Sequence, residues 1–266
     1  MDDRPIGVFD SGLGGLTTVR ELCRLLPEED IVYFGDTGRV PYGSRSRETI
    51  VKYARQDVAF LRTFDLKTIV IACGTVSTTA LDVLAAENPI PVLGVVAPAA
   101  RATRSGSIGL IGTQASIRSG AYERLIRAEN PAARVLAQPC PLFVPLVENG
   151  RFRPGDVVIE TVAAEYLAPL KEAGVDTLVL GCTHYPLLEK VIGAYMGPEV
   201  RLINSGAEGA RAAADCLRER DALAGPGRGS CRCFVSDRQE DFSRLASTFL
   251  GWDVAQAVEQ VDISQY

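Results

Sequence analysis

Residues Asp176 to Glu189 read DTLVLGCTHYPLLE. An apolar run rich in Leu and Val closes on a small residue, Gly181, and then presents Cys182, Thr183 and His184 before a helix-like pattern resumes. A buried strand of a parallel sheet that delivers polar groups at its carboxyl end reads this way. In open α/β sheets, ligands bind just outside those ends. Thr68 to Ser77, TIVIACGTVS, repeats the form, with Val70, Ile71 and Ala72 running into Cys73 and Thr75. Cys182 follows Cys73 by 109 residues, so two strand ends each carry a thiol.

The flanking sequence extends the pattern in both directions. Ile6 to Asp10 (IGVFD) is a short buried strand opening onto a glycine-rich loop, Ser11 to Gly15. Apolar positions 16, 19, 22, 25 and 26 predict a helix that Pro27 stops. Asp30 to Gly35 is a second strand, and the polar loop Asp36 to Ser46 ends on a residue suited to cap the next helix. Beyond the strand Ile69 to Cys73, one helix is expected over Val76 to Glu87 and a fourth strand over Pro91 to Val96.

The pattern then begins again. Ile108 stands 102 residues after Ile6, Val135 104 after Ile31, and Leu202 109 after Leu93. Four strands recurring in order at a nearly constant offset read as a duplicated α/β unit. The expected fold class is α/β: two pseudo-symmetric α/β domains with mainly parallel sheets facing each other across an active-site cleft. A helix follows over Ala207 to Arg220, a turn over Ala224 to Ser230, a strand over Cys233 to Ser236 and a helix over Asp241 to Leu250. Val254 to Val261 closes the chain. This tail has no counterpart before Ser107, so it is expected to return to the first domain. The expected domains are 1–97 plus 208–266, carrying Cys73, and 98–207, carrying Cys182.

Composition narrows the function classes. The 266 residues are 47% hydrophobic, ample for a core, and carry a net charge of −5 with no Lys/Arg block. That argues against nucleic acid or an anionic membrane as partner. The longest apolar run, Ile90 to Ala100, has 11 residues and two prolines, too short to span a bilayer. The start, MDDRPIGVFD, is acidic and enters a strand at once, unlike a signal peptide, so a cytoplasmic location is expected. The seven cysteines then read as thiols rather than a disulfide framework. Cys231-Arg-Cys233 lacks a second pair at zinc spacing, and with one His in the chain no metal is expected. Asp10-Ser-Gly-Leu-Gly-Gly is neither GxGxxG nor a P-loop, although its amides suit a carboxylate or phosphate.

If the two units face each other, Cys73 and Cys182 lie on opposite walls of one cleft. Two thiols on opposite sides of a carbon suit inversion by proton transfer: a thiolate takes the Cα proton and the opposite thiol delivers one to the other face. A free thiol has a pKa of about 8.5, so each sulfur needs help from a neighbour. Asp10 is placed to assist Cys73, and His184 to assist Cys182. Cys23, Cys140 and Cys216 read as core residues. Glu148, in PLVENG, is a carboxylate beside a turn, and the residues alone leave it between a surface position and a site.

Together, FDSGLGGLT, GDTGRVPYGSRS, ACGTVS, VPLVENG and GCTHYPLL closely resemble the bacterial glutamate racemases, in the expected order from Ile6 to at least Leu250. The resemblance implies a cofactor-independent racemase interconverting L- and D-glutamate, supplying D-glutamate for peptidoglycan, and a homodimer. By resemblance Cys73 acts on the D-enantiomer and Cys182 on the L-enantiomer, supported by Asp10, Glu148 and His184. Substrate contacts would come from Asp10, Ser11, Tyr42, Gly43, Thr75, Thr183 and His184. The family usually reads Cys-Asn-Thr where this chain has Cys73-Gly74-Thr75, so at Gly74 a contact could come only from backbone or water. A family Thr in the second domain aligns with Ser116, which keeps the hydroxyl. The alternatives are a racemase of aspartate or hydantoins in the same superfamily, a two-domain amino-acid-binding protein, and a pyridoxal-phosphate racemase. None of the four lysines, at 52, 67, 171 and 190, suits the last.

Overall fold

The computed structural model describes residues 1–104, 106–237, 239–252 and 258–266. Its first elements are β1 (Ile6–Asp10), α1 (Leu16–Leu25), β2 (Ile31–Gly35), α2 (Arg47–Leu61), β3 (Thr68–Ile71), α3 (Gly74–Thr79), α4 (Leu81–Glu87), β4 (Val92–Gly94) and α5 (Val96–Ala102). There follow β5 (Ser107–Gly112), α6 (Gln114–Arg118), α7 (Ala121–Glu129), β6 (Arg134–Pro139), α8 (Phe143–Glu148), α9 (Val157–Glu172), β7 (Thr177–Leu180), α10 (Glu189–Met196), β8 (Arg201–Asn204) and α11 (Ser205–Glu219). The chain finishes with β9 (Cys231–Val235), α12 (Gln239–Leu250) and β10 (Val258–Gln260).

The strands form two sheets, ordered β10-β9-β2-β1-β3-β4 and β6-β5-β7-β8, with parallel pairing throughout. The order β2-β1-β3-β4 of the first recurs as β6-β5-β7-β8 in the second. The register recurs too: Ile6 faces Ile31 and Thr68, as Ile108 faces Val135 and Thr177. Every residue of β1, β2, β3 and β7 is buried, as expected of strands covered by helices on both faces. The α/β class with two parallel sheets is therefore observed. β9 pairs with β2, so the C-terminal tail does return to the first sheet. Of the expected closing segment Val254 to Val261, residues 254–257 lie outside the described residues.

Two local expectations need correcting. The single helix over Val76 to Glu87 is two, broken at Ala80 (φ −130°). The hydroxyls of Thr78 and Thr79 both donate back to the Thr75 carbonyl, competing with the helical ladder. The fourth strand ends at Gly94, and Val96 already belongs to α5, whose Pro98 is tolerated in the first turn. The expected boundaries after residues 97 and 207 consequently fall inside α5 and α11.

Candidate active site

Both strands that the sequence singled out end at the same place, the cleft between the sheets. Cys73 lies two residues past β3 and caps α3, while Cys182 lies two residues past β7. Both are buried, and both line one cavity of about 340 Å³. That is small-molecule size, at the low end of the range for ligand pockets.

The surroundings of the two sulfurs differ. Cys73 Sγ lies 3.3 Å from Ser11 Oγ. Burial, and then the charge of Asp10, push the Cys73 thiol up to about 12. Cys182 Sγ lies 3.9 Å from His184 Nδ1, and His184 Nε2 lies 3.0 Å from Glu148 Oε1. Burial opposes the imidazolium, but the hydrogen bonds to Cys182 and Glu148 outweigh it and raise His184 to about 10. A cation is thus held beside Cys182 at neutral pH. The edge of Phe249, from α12, meets the His184 ring at 5.5 Å between centroids, so the C-terminal helix also reaches this side.

Asp10 ends β1 and is fully buried. Its carboxylate accepts from the Gly12 amide at 3.0 Å and from Thr183 Oγ1 at 3.4 Å. Burial raises its pKa, and the His184 charge pulls it back. Asp10 therefore acts on both sides of the cleft without reaching its surface, since it does not line the cavity.

Glycines bring the two halves into contact. A Cβ at Gly14 would collide with Thr183 Oγ1 and His184, and one at Gly74 would lie 2.5 Å from the Gly181 carbonyl oxygen. Gly74, having no Cβ, lets the main chain beside Cys73 come close to the main chain beside Cys182.

Of the other expected site residues, Ser11, Tyr42, Gly43, Gly74, Thr75, Thr183 and Glu148 all line the cavity. Tyr42 does so with its hydroxyl turned away, donating to the buried carboxylates of Asp36 and Asp57. Ser116 is set back. It does not line the cavity, and its hydroxyl accepts at 3.0 Å from Thr113, which does. Thr113 Oγ1 is also 3.0 Å from Thr75 Oγ1, joining the two halves. Sequence reasoning missed Thr113, whose available signal was its place as helix cap directly after β5. It also read Cys140 as a core residue; that thiol is fully buried yet lies against the cavity.

Among the described lining residues there is no Lys or Arg, so hydroxyls, loop amides and His184 are left to receive any carboxylate. Among the described residues no group of three His, Cys, Asp or Glu side chains is arranged to hold a metal, and no helix is long and apolar enough to cross a membrane.

The Asp/Glu/hydantoin racemase family model matches residues 9–213. The chain is 48% identical over 256 residues to a glutamate racemase of Geobacter metallireducens, covering 94% of each. It is 46% identical over 258 residues to a glutamate racemase of Chlorobaculum tepidum, covering 95% of this chain and 94% of that one. Among solved structures, glutamate racemase from Francisella tularensis in complex with D-glutamate superposes with a TM-score of 0.93 at 38% identity, covering 100% of both chains. Glutamate racemase from Thermus thermophilus in complex with β-chloro-D-alanine gives 0.90 at 43%, again over 100% of both.

Proposed function

We propose that this chain, which belongs to the Asp/Glu/hydantoin racemase family and is an amino-acid racemase within it, interconverts L- and D-glutamate by two-base proton transfer between Cys73 and Cys182. The observation that carries this reading is the pair of buried thiols at equivalent strand ends of two like-ordered sheets, opening on one cavity.

In the L-to-D direction a Cys182 thiolate, beside the His184 cation, takes the Cα proton of L-glutamate. The Cys73 thiol gives its proton to the opposite face of the same carbon. One Cα–H bond breaks and another forms, leaving a thiol at 182 and a thiolate at 73, the state suited to the reverse reaction. Glu148 holds the imidazole, and Asp10 sets the field at Cys73. Ser11, Thr75, Thr113 and Thr183 are positioned to receive the substrate carboxylates, with Tyr42, Gly43 and Gly74 closing the wall. We further read the enzyme as a cytoplasmic homodimer supplying D-glutamate for peptidoglycan.

Turnover in D₂O tests the scheme. Deuterium is expected at Cα of the product enantiomer, and Cys73→Ala and Cys182→Ala should each abolish racemisation while retaining the wild-type circular dichroism spectrum. Product without solvent label, or full turnover by either variant, would sink it. L-Aspartate and hydantoins offered in the same polarimetric assay decide the substrate class.

A further inference from the structure

A second cavity, of about 800 Å³, shares no lining residue with the substrate cavity, yet Ser44 and Arg45, and Gln114 and Ala115, are chain neighbours across the divide. Four guanidinium side chains line it. Arg45 and Arg47 come from the first sheet's unit, at the N-terminus of α2, and Arg118 and Arg124 from the second, on α6 and α7. Asp82 is the only carboxylate in the lining, so the cavity carries a formal charge of +3 in a chain whose net charge is −5.

The cations are only partly compensated. Arg47 pairs with Asp82 at 3.3 Å, and Arg124 donates to the Ser119 carbonyl at 2.7 Å. Among the described residues, the guanidinium groups of Arg45 and Arg118, both exposed, have neither a hydrogen-bond nor an ion-pair partner. The hydroxyls of Ser77 and Thr78, which also line the cavity, already donate to the carbonyls of Ile71 and Thr75. The guanidinium forks are therefore the free donors, and they suit bidentate pairing with phosphate oxygens. Gathering like charges around one cavity costs energy that a multiply charged anion would recover.

We propose that this cavity binds a multiply charged phosphate anion that bridges the two halves of the molecule, outside the substrate site. Occupied, it would hold Arg45, beside the wall segment Tyr42–Ser44, to Arg118, at the end of the helix that Thr113 caps.

Isothermal titration of the full chain with inorganic pyrophosphate at low ionic strength tests this, with and without saturating D-glutamate. One equivalent is expected to bind with affinity unchanged by glutamate. Arg45→Gln/Arg118→Gln should weaken it at least tenfold while turnover without pyrophosphate stays within about twofold of wild type. Asp82→Asn should tighten it, which keeps the test decisive if the double variant folds poorly. The binding arm needs no racemase activity, so it stands or falls independently of the reaction assigned above. Pyrophosphate that fails to bind, that glutamate displaces, or that binds Asp82→Asn and the double variant as it binds the wild type overturns the proposal.

Discussion

Gly74→Ala probes a close main-chain approach between the two half-sites. A methyl group there would stand 2.5 Å from the Gly181 carbonyl oxygen, whereas ordinary contact begins at 3.4 Å, so the backbone must yield by about 0.9 Å. The obstacle is main chain, and no side-chain rotation relieves it. Because residue 74 follows one thiol and residue 181 precedes the other, any retreat moves the two sulfurs apart. A misplacement of about 1 Å in a site can cost about 10²-fold in rate. We therefore expect kcat to fall by about two orders of magnitude in both directions. Stability should fall by about 1–3 kcal/mol, the usual cost of overpacking. Coupled D-glutamate and L-glutamate assays read the first, and thermal melts the second. Gly227→Ala, where a Cβ meets nothing within 4 Å, is the control. Gly74→Asn should do no better than alanine, because the clash begins at Cβ. Unchanged kcat in Gly74→Ala would refute the idea that this contact sets the spacing of the bases.

Three further outcomes follow from the charges. His184 is raised to about 10 in the folded chain from the ordinary imidazole value of about 6.5, so its stabilisation is fully present below about 6.5 and lost as pH rises through 10. The melting-temperature gap between wild type and His184→Asn should accordingly be widest in mild acid and narrow above pH 10; a constant gap would contradict this. Asp10→Asn removes the negative charge that helps hold the Cys73 thiol at about 12, so mass-resolved alkylation of Cys73 should shift to lower pH while racemisation declines. Burial and the neighbouring Asp36 push Asp57 well above the carboxylate range, so Asp57→Asn should cost less stability than Tyr42→Phe. The latter strips a donor from two buried carboxyls, at about 1–3 kcal/mol. Denaturant melts of the two variants decide their order.

Much of this architecture was legible because parallel strands buried on both faces leave continuous apolar runs, and their ends are marked by abrupt polar residues. TIVIACGTVS and TLVLGCTHY show this pattern, and the offset between them anticipated a duplicated unit, seen in the four-strand order that both sheets share. What escaped reading depended on contacts between distant segments. Nothing in GDTGRVPYGSRS says that the Tyr42 hydroxyl turns from the cavity toward Asp36 and Asp57, because Asp57 lies a helix away. Alignment of a hydroxyl placed the second-half contact at Ser116, yet the helix cap puts Thr113 at the surface and Ser116 behind it. The break at Ala80 arises from back-bonding by Thr78 and Thr79, which a hydrophobic period does not register.

The duplicated scaffold makes the two thiols equivalent in position, but the charges around them are not duplicated. At the end of β1 stands Asp10, while its counterpart at the end of β5 is Gly112, in a strand register that otherwise repeats. The β1 strand end thus carries a carboxylate that the β5 strand end lacks, and it opposes ionisation of Cys73. On the other side, His184 follows Cys182 by two, where Thr75 follows Cys73, and Glu148 holds the imidazole as a cation. A proton at rest consequently belongs on Cys73, with the positive charge beside Cys182. Inversion needs one base and one acid across the same carbon, and a symmetric pair would supply two acids or two bases. In the two-thiol reaction proposed above, this asymmetry would make two like thiols complementary, and it would be carried by Asp10 and His184, which flank the sulfurs from different strands.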